Sequence, residues 1–158
     1  MTDGAPERTR LELAWRAEPT PCWDAGKAAA FSPAGPTVHG LGNPEEGDAL
    51  GDAWWRVETA AGEVAGYGRL DDTWGDAEVL AAVVPAFRGR GVGAWAMDRL
   101  ADEAAARSLN YVYNVVPVGH PDREAVASWL GVQGFDARDS GELRRRVTIR
   151  AATTASSQ

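Results

Sequence analysis

The chain of 158 residues has few of the side chains that build disulfide frameworks and metal centres. It contains one cysteine, Cys22, and two histidines, His39 and His120. One thiol cannot form an intramolecular disulfide, and this set cannot supply the Cys/His ligands of a structural zinc site. The sequence therefore argues against a disulfide-rich module and against metal catalysis, and we predict no metal cofactor.

Long hydrophobic runs are also missing. The longest apolar stretches, residues 79–86 and 115–118, fall far short of the ~20 residues that a membrane-spanning helix needs. The N-terminus lacks the basic start and apolar run of a signal peptide. We therefore expect a soluble, cytoplasmic protein with no membrane partner.

Acidic residues outnumber basic ones by 23 to 16, which gives a formal net charge of −7, and Lys27 is the only lysine. Binding to nucleic acid is driven by clustered lysine and arginine, so this composition argues against a nucleic-acid partner. A cationic or neutral small partner is easier to accommodate.

The length and the hydrophobic content of the chain are sufficient for one folded domain. The length and the 44% hydrophobic content are those of a single domain that buries its own core. Residues 1–9 and 151–158 are small or polar without apolar periodicity, which predicts disordered ends around one folded domain over residues 10–150.

Apolar spacing predicts an antiparallel meander followed by alternating helices and strands. Predicted strands cover residues 11–15, 53–58, 63–70, 76–84, 111–116, 135–137 and 143–149; predicted helices cover residues 23–31, 92–109 and 122–130. Residues 32–52 are rich in glycine and proline and predict a long loop. A loop of this length is either a mobile surface loop or a functional lid.

The strongest functional signal is the junction between the third meander strand and the long helix. Gly89, Gly91 and Gly93 remove side chains where the backbone turns, and the amides of the following helix N-terminus stay free. These amides and the helix dipole create an anion site, which Arg88 and Arg90 supplement. The glycine spacing fits neither a dinucleotide fingerprint nor a P-loop, and a tight structural connection is the alternative interpretation.

This junction resembles the acyl-CoA site of the GCN5-related N-acetyltransferase (GNAT) family, whose pattern is Gln/Arg-x-x-Gly-x-Gly/Ala after a strand ending in Val-x-Pro. The matching residues here are Val83-x-Pro85 and Arg88-x-x-Gly91-x-Gly93. A Gly-Phe pair, common in the family after the next helix, is present as Gly134-Phe135. The resemblance implies the GNAT fold: an α/β protein with a mixed, mostly antiparallel sheet, splayed between its two middle strands, and helices on both faces.

The resemblance also implies that acetyl-CoA or another acyl-CoA is the co-substrate. Backbone amides of the turn would hold the pyrophosphate, and the strand before it would pair with the pantetheine arm. Arg123 stands where the family often has an asparagine. The candidate CoA-binding residues are Ala82, Val83, Val84, Arg88, Gly89, Arg90, Gly91, Val92, Gly93, Ala94 and Arg123.

The expected catalytic positions depart from the family pattern. The tyrosine that often protonates the departing thiolate is Leu130 here. A thiol pKa of about 8.5 means that the thiolate needs only modest help to leave, and Tyr113 is a candidate donor, with Tyr111 and Ser128 as alternatives. Each of these three side chains is also compatible with an ordinary structural position.

An amine acceptor must lose a proton before it attacks. Glu78 is the favoured base, turned inward by a β-bulge or a one-residue slip and acting through a bridging water, and a solvated strand carboxylate is the alternative. His120 is a second candidate base, although a lone loop histidine is more often a surface residue.

The sequence therefore predicts direct transfer of an acyl group, most simply acetyl, from acyl-CoA to a primary amine of a small molecule or peptide. A cationic acceptor and a homodimer are compatible with it. Residues 32–52, with His39, Glu45, Glu46 and Asp48, are expected to line or cover the acceptor pocket. Two alternatives stay open: a catalytically silent acyl-CoA-binding module, and a transferase whose donor is an acyl carrier protein or an aminoacyl-tRNA.

Overall fold

The computed structural model of the protein describes residues 11–116, 120–138 and 141–147. The predicted disordered ends, residues 1–9 and 151–158, lie outside the described residues. So do residues 117–119, which follow the strand predicted at 111–116, and the end of the last predicted strand.

Seven strands and three α-helices follow one another in the described part of the chain. The strands are β1 (Leu13–Ala17), β2 (Ala53–Thr59), β3 (Val64–Thr73), β4 (Asp76–Val83), β5 (Tyr111–Val115), β6 (Asp136–Ala137) and β7 (Glu142–Arg146). The helices are α1 (Ala25–Ala30), α2 (Val92–Ala106) and α3 (Arg123–Val132), with short 3-10 turns at Thr37–His39 and Pro85–Phe87. The predicted elements are confirmed, with ends displaced by a few residues.

The strands form one sheet in the order β1-β2-β3-β4-β5-β7-β6. Every neighbouring pair is antiparallel except β4 and β5, which are parallel because α2 crosses over between them. The β3–β4 ladder runs without interruption from Gly66↔Val83 to Thr73↔Asp76. In contrast, β4 and β5 pair only at Ala77↔Val112 and Glu78↔Tyr113 and then diverge, so the predicted splay is confirmed.

Helix α2 packs against one face of the sheet through side chains spaced three and four residues apart. Val92, Ala96, Leu100 and Ala104 are buried, as the helical periodicity predicts. Helix α3 adds Leu130 to the core on the same face. These contacts fix α2, and with it the turn at its N-terminus, relative to β4.

Helix α1 covers the opposite face, so helices lie on both sides of the sheet. Its partners include Trp54, Tyr67 and Leu80, which form a second core cluster with Trp23 and Phe31. The end of this helix leads directly into the predicted long loop, which carries the short turn at Thr37–His39.

Lys27 lies inside α1 and is fully buried. Its Nζ donates to the Cys22 carbonyl at 2.8 Å and lies 2.8 Å from Glu18 Oε1 and 3.3 Å from Asp24 Oδ2. It also stands 4.9 Å from the ring centroid of Tyr67. Burial, followed by the charges of Asp24 and Glu18, raises the pKa of Tyr67 to about 12. One buried cation therefore joins α1 to the sheet.

None of the helices in the described ranges is long and apolar enough to cross a membrane.

Candidate active site

A groove of about 520 Å³ runs between the end of α1, the end of β4 and the N-termini of α2 and α3. The segment that follows α1 forms one wall through Phe31, Ser32 and Pro33. Trp129 of α3 belongs to the opposite wall. The groove is thus built from segments far apart in sequence, which the splayed sheet and the three helices bring together.

The glycine turn forms the end of this groove at α2. Gly89 and Gly91 have φ angles of +76° and +84°, which L side chains rarely adopt, and no atom lies within 4 Å of the place of a Cβ. Gly93 differs, because a Cβ there would stand 3.2 Å from the Trp129 ring. Backbone conformation therefore requires glycine at the first two positions, and close packing against α3 favours it at the third.

The N-terminus of α2 is electrostatically open to an anion. Gly91 caps the helix in a left-handed conformation without a side-chain hydrogen bond, and the first turn carries no acidic residue. The dipole of this 15-residue helix places roughly half a positive charge at that end. Arg88, Gly89, Gly91, Val92, Gly93 and Ala94 line the groove at this point.

Arg88 has backbone partners on both sides of the groove. Its Nε donates to the Val83 carbonyl at 3.0 Å, and its Nη2 donates to the carbonyls of Ser32 at 2.7 Å and Ala30 at 3.2 Å. The guanidinium therefore ties the end of α1 to the end of β4. The structure gives this side chain a positioning role that the sequence did not indicate.

Arg90 and Arg123, the other two arginines predicted to contact CoA, are both exposed. The Arg90 guanidinium stands 5.9 Å from the Phe87 ring centroid, and its residue is exposed. Arg123 is the exposed first residue of α3, and it is not among the residues that line the groove.

The ladder between β3 and β4 determines which β4 amides face the splay. Gly66 opposes Val83, and the Val84 amide donates to the Ala65 carbonyl at 2.9 Å. Backbone groups alternate in direction along a strand, so those of Ala82 face β3 whereas those of Ala81 and Val83 face the gap. Within residues 82–84, which were expected to pair with the pantetheine arm, only Val83 directs its backbone amide to the gap. The Ala81 amide also faces the gap, and this residue was not among those predicted from the sequence.

A small cavity of about 60 Å³ occupies the gap between the diverging strands. Asn114 of β5 reaches across it, and its Nδ2 donates to the Val79 carbonyl at 2.8 Å. Leu130, at the position where the resemblance implies a tyrosine, is only 2% exposed and contributes an apolar wall. This cavity adjoins the groove, because both are lined by His39, Leu80, Ala81, His120, Val126 and Trp129.

The two histidines of the sequence meet at this junction. Their ring centroids are 5.3 Å apart, and the ring of Phe31 lies 5.4 Å from that of His39. His120 Nδ1 accepts a hydrogen bond from the Asp122 amide at 2.9 Å. Burial lowers the pKa of His39, and the adjacent His120 lowers it further. Sequence reasoning named both residues but missed their contact, since no local pattern links positions so far apart.

Glu78 and Tyr113 lie together elsewhere, where β4 and β5 are still paired. The predicted bulge at Glu78 is wrong, because the β3–β4 register is continuous there. The Glu78 side chain nevertheless projects from the sheet face that α1 covers, since its neighbours Ala77 and Val79 pack on the α2 side. Its Oε1 lies 3.5 Å from Arg69 Nη1. Neither Glu78 nor Tyr113 lines the groove or the adjoining cavity.

The pKa of the Tyr113 hydroxyl lies above its ordinary value. Burial raises this pKa, and the charge of Glu78 raises it further. The structure thus separates the predicted catalytic residues into two places, with His120 at the groove and the other two beyond it. Their catalytic roles stay predictions.

The loop after α1 divides into two parts. Ser32, Pro33, Ala34 and His39 line the groove. The acidic stretch at residues 45–48 packs elsewhere, because the Trp23 amide donates to the Asp48 carbonyl at 2.8 Å. Glu45, Glu46 and Asp48 are exposed and do not line the groove.

The mixed sheet with helices on both faces is similar in fold to solved N-acetyltransferases. The sequence matches the model of the acetyltransferase (GNAT) family over residues 12–135. The chain therefore belongs to the GNAT acetyltransferase family. No curated protein matches the sequence.

Three solved structures illustrate the likeness in fold. Ribosomal-protein-alanine N-acetyltransferase from Brucella melitensis has 17% identity and a TM-score of 0.50, over 60% of this chain and 68% of that one. A GNAT-family acetyltransferase from Staphylococcus aureus Mu50 has 12% identity and a TM-score of 0.50, over 61% and 68%. N-acetylglutamate synthase from Neisseria gonorrhoeae, complexed with coenzyme A and L-arginine, has 15% identity and a TM-score of 0.51, over 60% of this chain but 24% of that one. At these identities the likeness is one of fold.

Proposed function

We propose that the protein is an acetyl-CoA-dependent N-acetyltransferase that transfers the acetyl group directly to a primary amine of a small molecule or peptide. The observation that carries this proposal is the glycine turn at the α2 N-terminus, which opens a groove leading to the splay between β4 and β5. Membership of the GNAT family and the coenzyme A complex of the Neisseria synthase support the choice of donor.

In this proposal the amides of the turn and the first helical turn hold the CoA pyrophosphate. Apolar atoms of the groove surround the pantetheine arm. The arm pairs with the backbone at the β4 edge in the way that an added strand would. The groove has an apolar wall at Val83, Val92 and Trp129, which suits the linear, largely uncharged arm. The thioester then reaches the junction of groove and cavity.

The reaction needs one bond to form and one to break. The amine nitrogen attacks the thioester carbonyl carbon, the C–N bond forms, and the C–S bond breaks with departure of the CoA thiolate. The Ala81 and Val83 amides face this gap, so they are the backbone donors positioned for the oxyanion that develops on the carbonyl oxygen. A thiol pKa of about 8.5 allows the thiolate to leave although Leu130 replaces the usual tyrosine.

The acceptor would approach from the side of the α1 loop. Phe31 and Pro33 make this wall apolar, whereas Asp122 is the acidic residue among the described residues that line the groove. An ammonium on a small, partly apolar body fits this combination better than a polycation, because the acidic residues 45–48 lie away from the groove.

Incubation of the purified protein with acetyl-CoA and a panel of primary amines tests the proposal. The panel contains 2-phenylethylamine, putrescine, glutamate and an alanyl tripeptide, and mass spectrometry follows free CoA and acetylated product. We expect an N-acetylated product and stoichiometric CoA. Tight CoA binding without any product would instead support a silent acyl-CoA-binding module, and absence of CoA binding would support a carrier-protein or aminoacyl-tRNA donor.

Cys22→Ser is expected to leave the transferase activity unchanged, because direct transfer needs no acyl-enzyme. Cys22 is half-buried beside Ala49 and does not line the groove. Intact-mass analysis after mixing with acetyl-CoA, together with steady-state rates, checks this expectation. An acyl adduct on Cys22 that disappears when the amine is added would contradict direct transfer.

A further inference from the structure

We propose that His39 is the base that removes the acceptor's proton, and that the neighbouring His120 acts as a neutral hydrogen-bond donor. This inference rests on the proposed N-acetyltransferase function and adds the residue that prepares the amine. It assigns deprotonation of the acceptor amine to His39 and not to Glu78, the residue that the sequence favoured.

The location of His39 supports the assignment. It lines both the groove and the cavity between β4 and β5, together with Leu80 and Ala81 of the β4 edge. In the proposed function, the thioester carbonyl lies at this junction. His39 reaches it from the acceptor side, because its 3-10 turn follows the loop that begins at Phe31.

The hydrogen bond at His120 separates the roles of the two rings. The Asp122 amide can only donate, so the Nδ1 atom that accepts from it at 2.9 Å carries no proton. A neutral ring in that state has its proton on Nε2 and has no free lone pair there. His120 can therefore donate from Nε2 to a carbonyl oxygen or to the other ring, and it cannot take a proton without losing the Asp122 bond.

The surroundings of His39 favour its neutral form near pH 7. Burial and the adjacent His120 both lower the pKa of His39, so it stays unprotonated down to a lower pH than an ordinary histidine. Among the described residues that line the groove, the other charged ones are Asp122 and Arg88, and the Arg88 guanidinium is bound to the Ala30 and Ser32 carbonyls. A neutral imidazole at this place is ready to accept a proton from an ammonium.

The proton balance is complete without a further reactant. His39 takes one proton from the ammonium, and the free amine then attacks the thioester. As the C–S bond breaks, the second proton on nitrogen passes to the CoA thiolate, and the His39 imidazolium releases its proton to solvent. The products are the amide, CoA as the thiol, and one proton.

The pH–rate profile of His39→Gln provides the first test, with acetyl-CoA and the fastest amine of the panel. At pH 7 we expect kcat/KM for the amine to fall by about 100-fold, within the usual range for loss of a general base. The loss should shrink as the pH approaches the amine pKa, because more amine is then deprotonated by solvent. The wild-type acidic limb, which lies below pH 6.5 since the His39 pKa is lowered, should disappear.

Two matched variants complete this experiment. His120→Asn retains an acceptor for the Asp122 amide, and we expect a lower rate with an acidic limb that persists but moves to higher pH, because His120 no longer lowers the His39 pKa. Glu78→Gln should keep both the rate at pH 7 and the limb. A pH-dependent loss in Glu78→Gln with none in His39→Gln would overturn the assignment, as would a loss in His39→Gln that is uniform with pH.

Nitrogen NMR of the two histidines gives a readout that needs no acceptor. The chain contains only His39 and His120, so each variant assigns the remaining ring. We expect a His39 pKa below the usual value and an unprotonated His120 Nδ1, both with CoA bound. A His39 pKa above 7 or a protonated His120 Nδ1 would reject the proposal. Failure of CoA binding by calorimetry would reject the proposed function separately.

Discussion

Gly91→Asp is expected to weaken CoA binding at least tenfold, a change of about 1.4 kcal/mol in binding free energy. The new carboxylate would stand at the cap of α2, where the free amides and the helix dipole favour an anion. No atom lies within 4 Å of the place of a Cβ at Gly91, so a Cβ there meets no steric clash, whereas the φ of +84° strains the backbone in Gly91→Asp and in the uncharged Gly91→Asn alike. The negative charge of the new carboxylate acts directly against the CoA phosphates.

Calorimetric titration with CoA measures this effect, and two controls isolate its cause. Gly75 lies in the β3–β4 hairpin at the other end of β4 and has a similar φ of +88°, so Gly75→Asp adds the same charge and similar backbone strain away from the groove. Gly91→Asn adds nearly the same bulk without charge. We expect near-normal binding in Gly75→Asp and an intermediate loss in Gly91→Asn. Equal CoA affinity in folded Gly91→Asp protein would remove the turn from the donor site.

Gly93 is a poorer position for this experiment. A side chain there would press on the Trp129 ring, so the loss of CoA binding could not be separated from a displaced α3. The structure thus distinguishes two glycines that the sequence motif presents as equivalent.

Lys27→Met is expected to lower the free energy of unfolding by about 3 kcal/mol, the lower end of the usual cost of breaking a buried ion pair. The lysine ammonium is fully buried, and Glu18 lies 2.8 Å from it. Methionine fills most of the volume but leaves the Glu18 carboxylate and the Cys22 carbonyl without this donor. It also loses the contact of a cation with the Tyr67 ring.

Urea denaturation of both proteins measures the difference, with an unchanged m-value expected for a two-state transition. Arg99→Met is the matched control, because Arg99 also pairs with a carboxylate, Asp102 at 3.2 Å, and stands over the ring of Trp95. This pair lies at the surface, where an ion pair contributes at most about 1 kcal/mol. A Lys27→Met protein as stable as wild type would mean that the buried charge contributes nothing net.

We expect the Lys27→Met substitution to affect the groove as well as the stability of the fold. Helix α1 ends at Ala30, and the following residues, Phe31 to Ala34, form the wall that faces the β4 edge. Arg88 also holds this wall through the Ala30 and Ser32 carbonyls. Loosening of α1 should still displace the wall more than the glycine turn, which α2 anchors, so we expect Lys27→Met to raise the amine KM more than the CoA Kd.

The sequence by itself determined the elements and the glycine turn, because both depend on residues close together in the chain. Alternating apolar residues specify the strands of the meander, and spacing by three and four residues specifies the buried face of α2. Gly89 and Gly91 adopt left-handed conformations that few other residues tolerate, so the turn is encoded in its own residues. The family motif occupies the same short segment.

The tertiary structure alone decided which side chains share the groove. His39 and His120 meet because the loop after α1 and the start of α3 close over the splay from opposite sides, and no periodicity connects these segments. The guanidinium of Arg88 turns towards two backbone segments, since their carbonyls lie within reach only once α1 has docked on the sheet. Glu78 stays apart from the groove because β4 continues past it without a bulge. That continuous register depends on the pairing of β3 with β4, so neither strand's sequence specifies it alone.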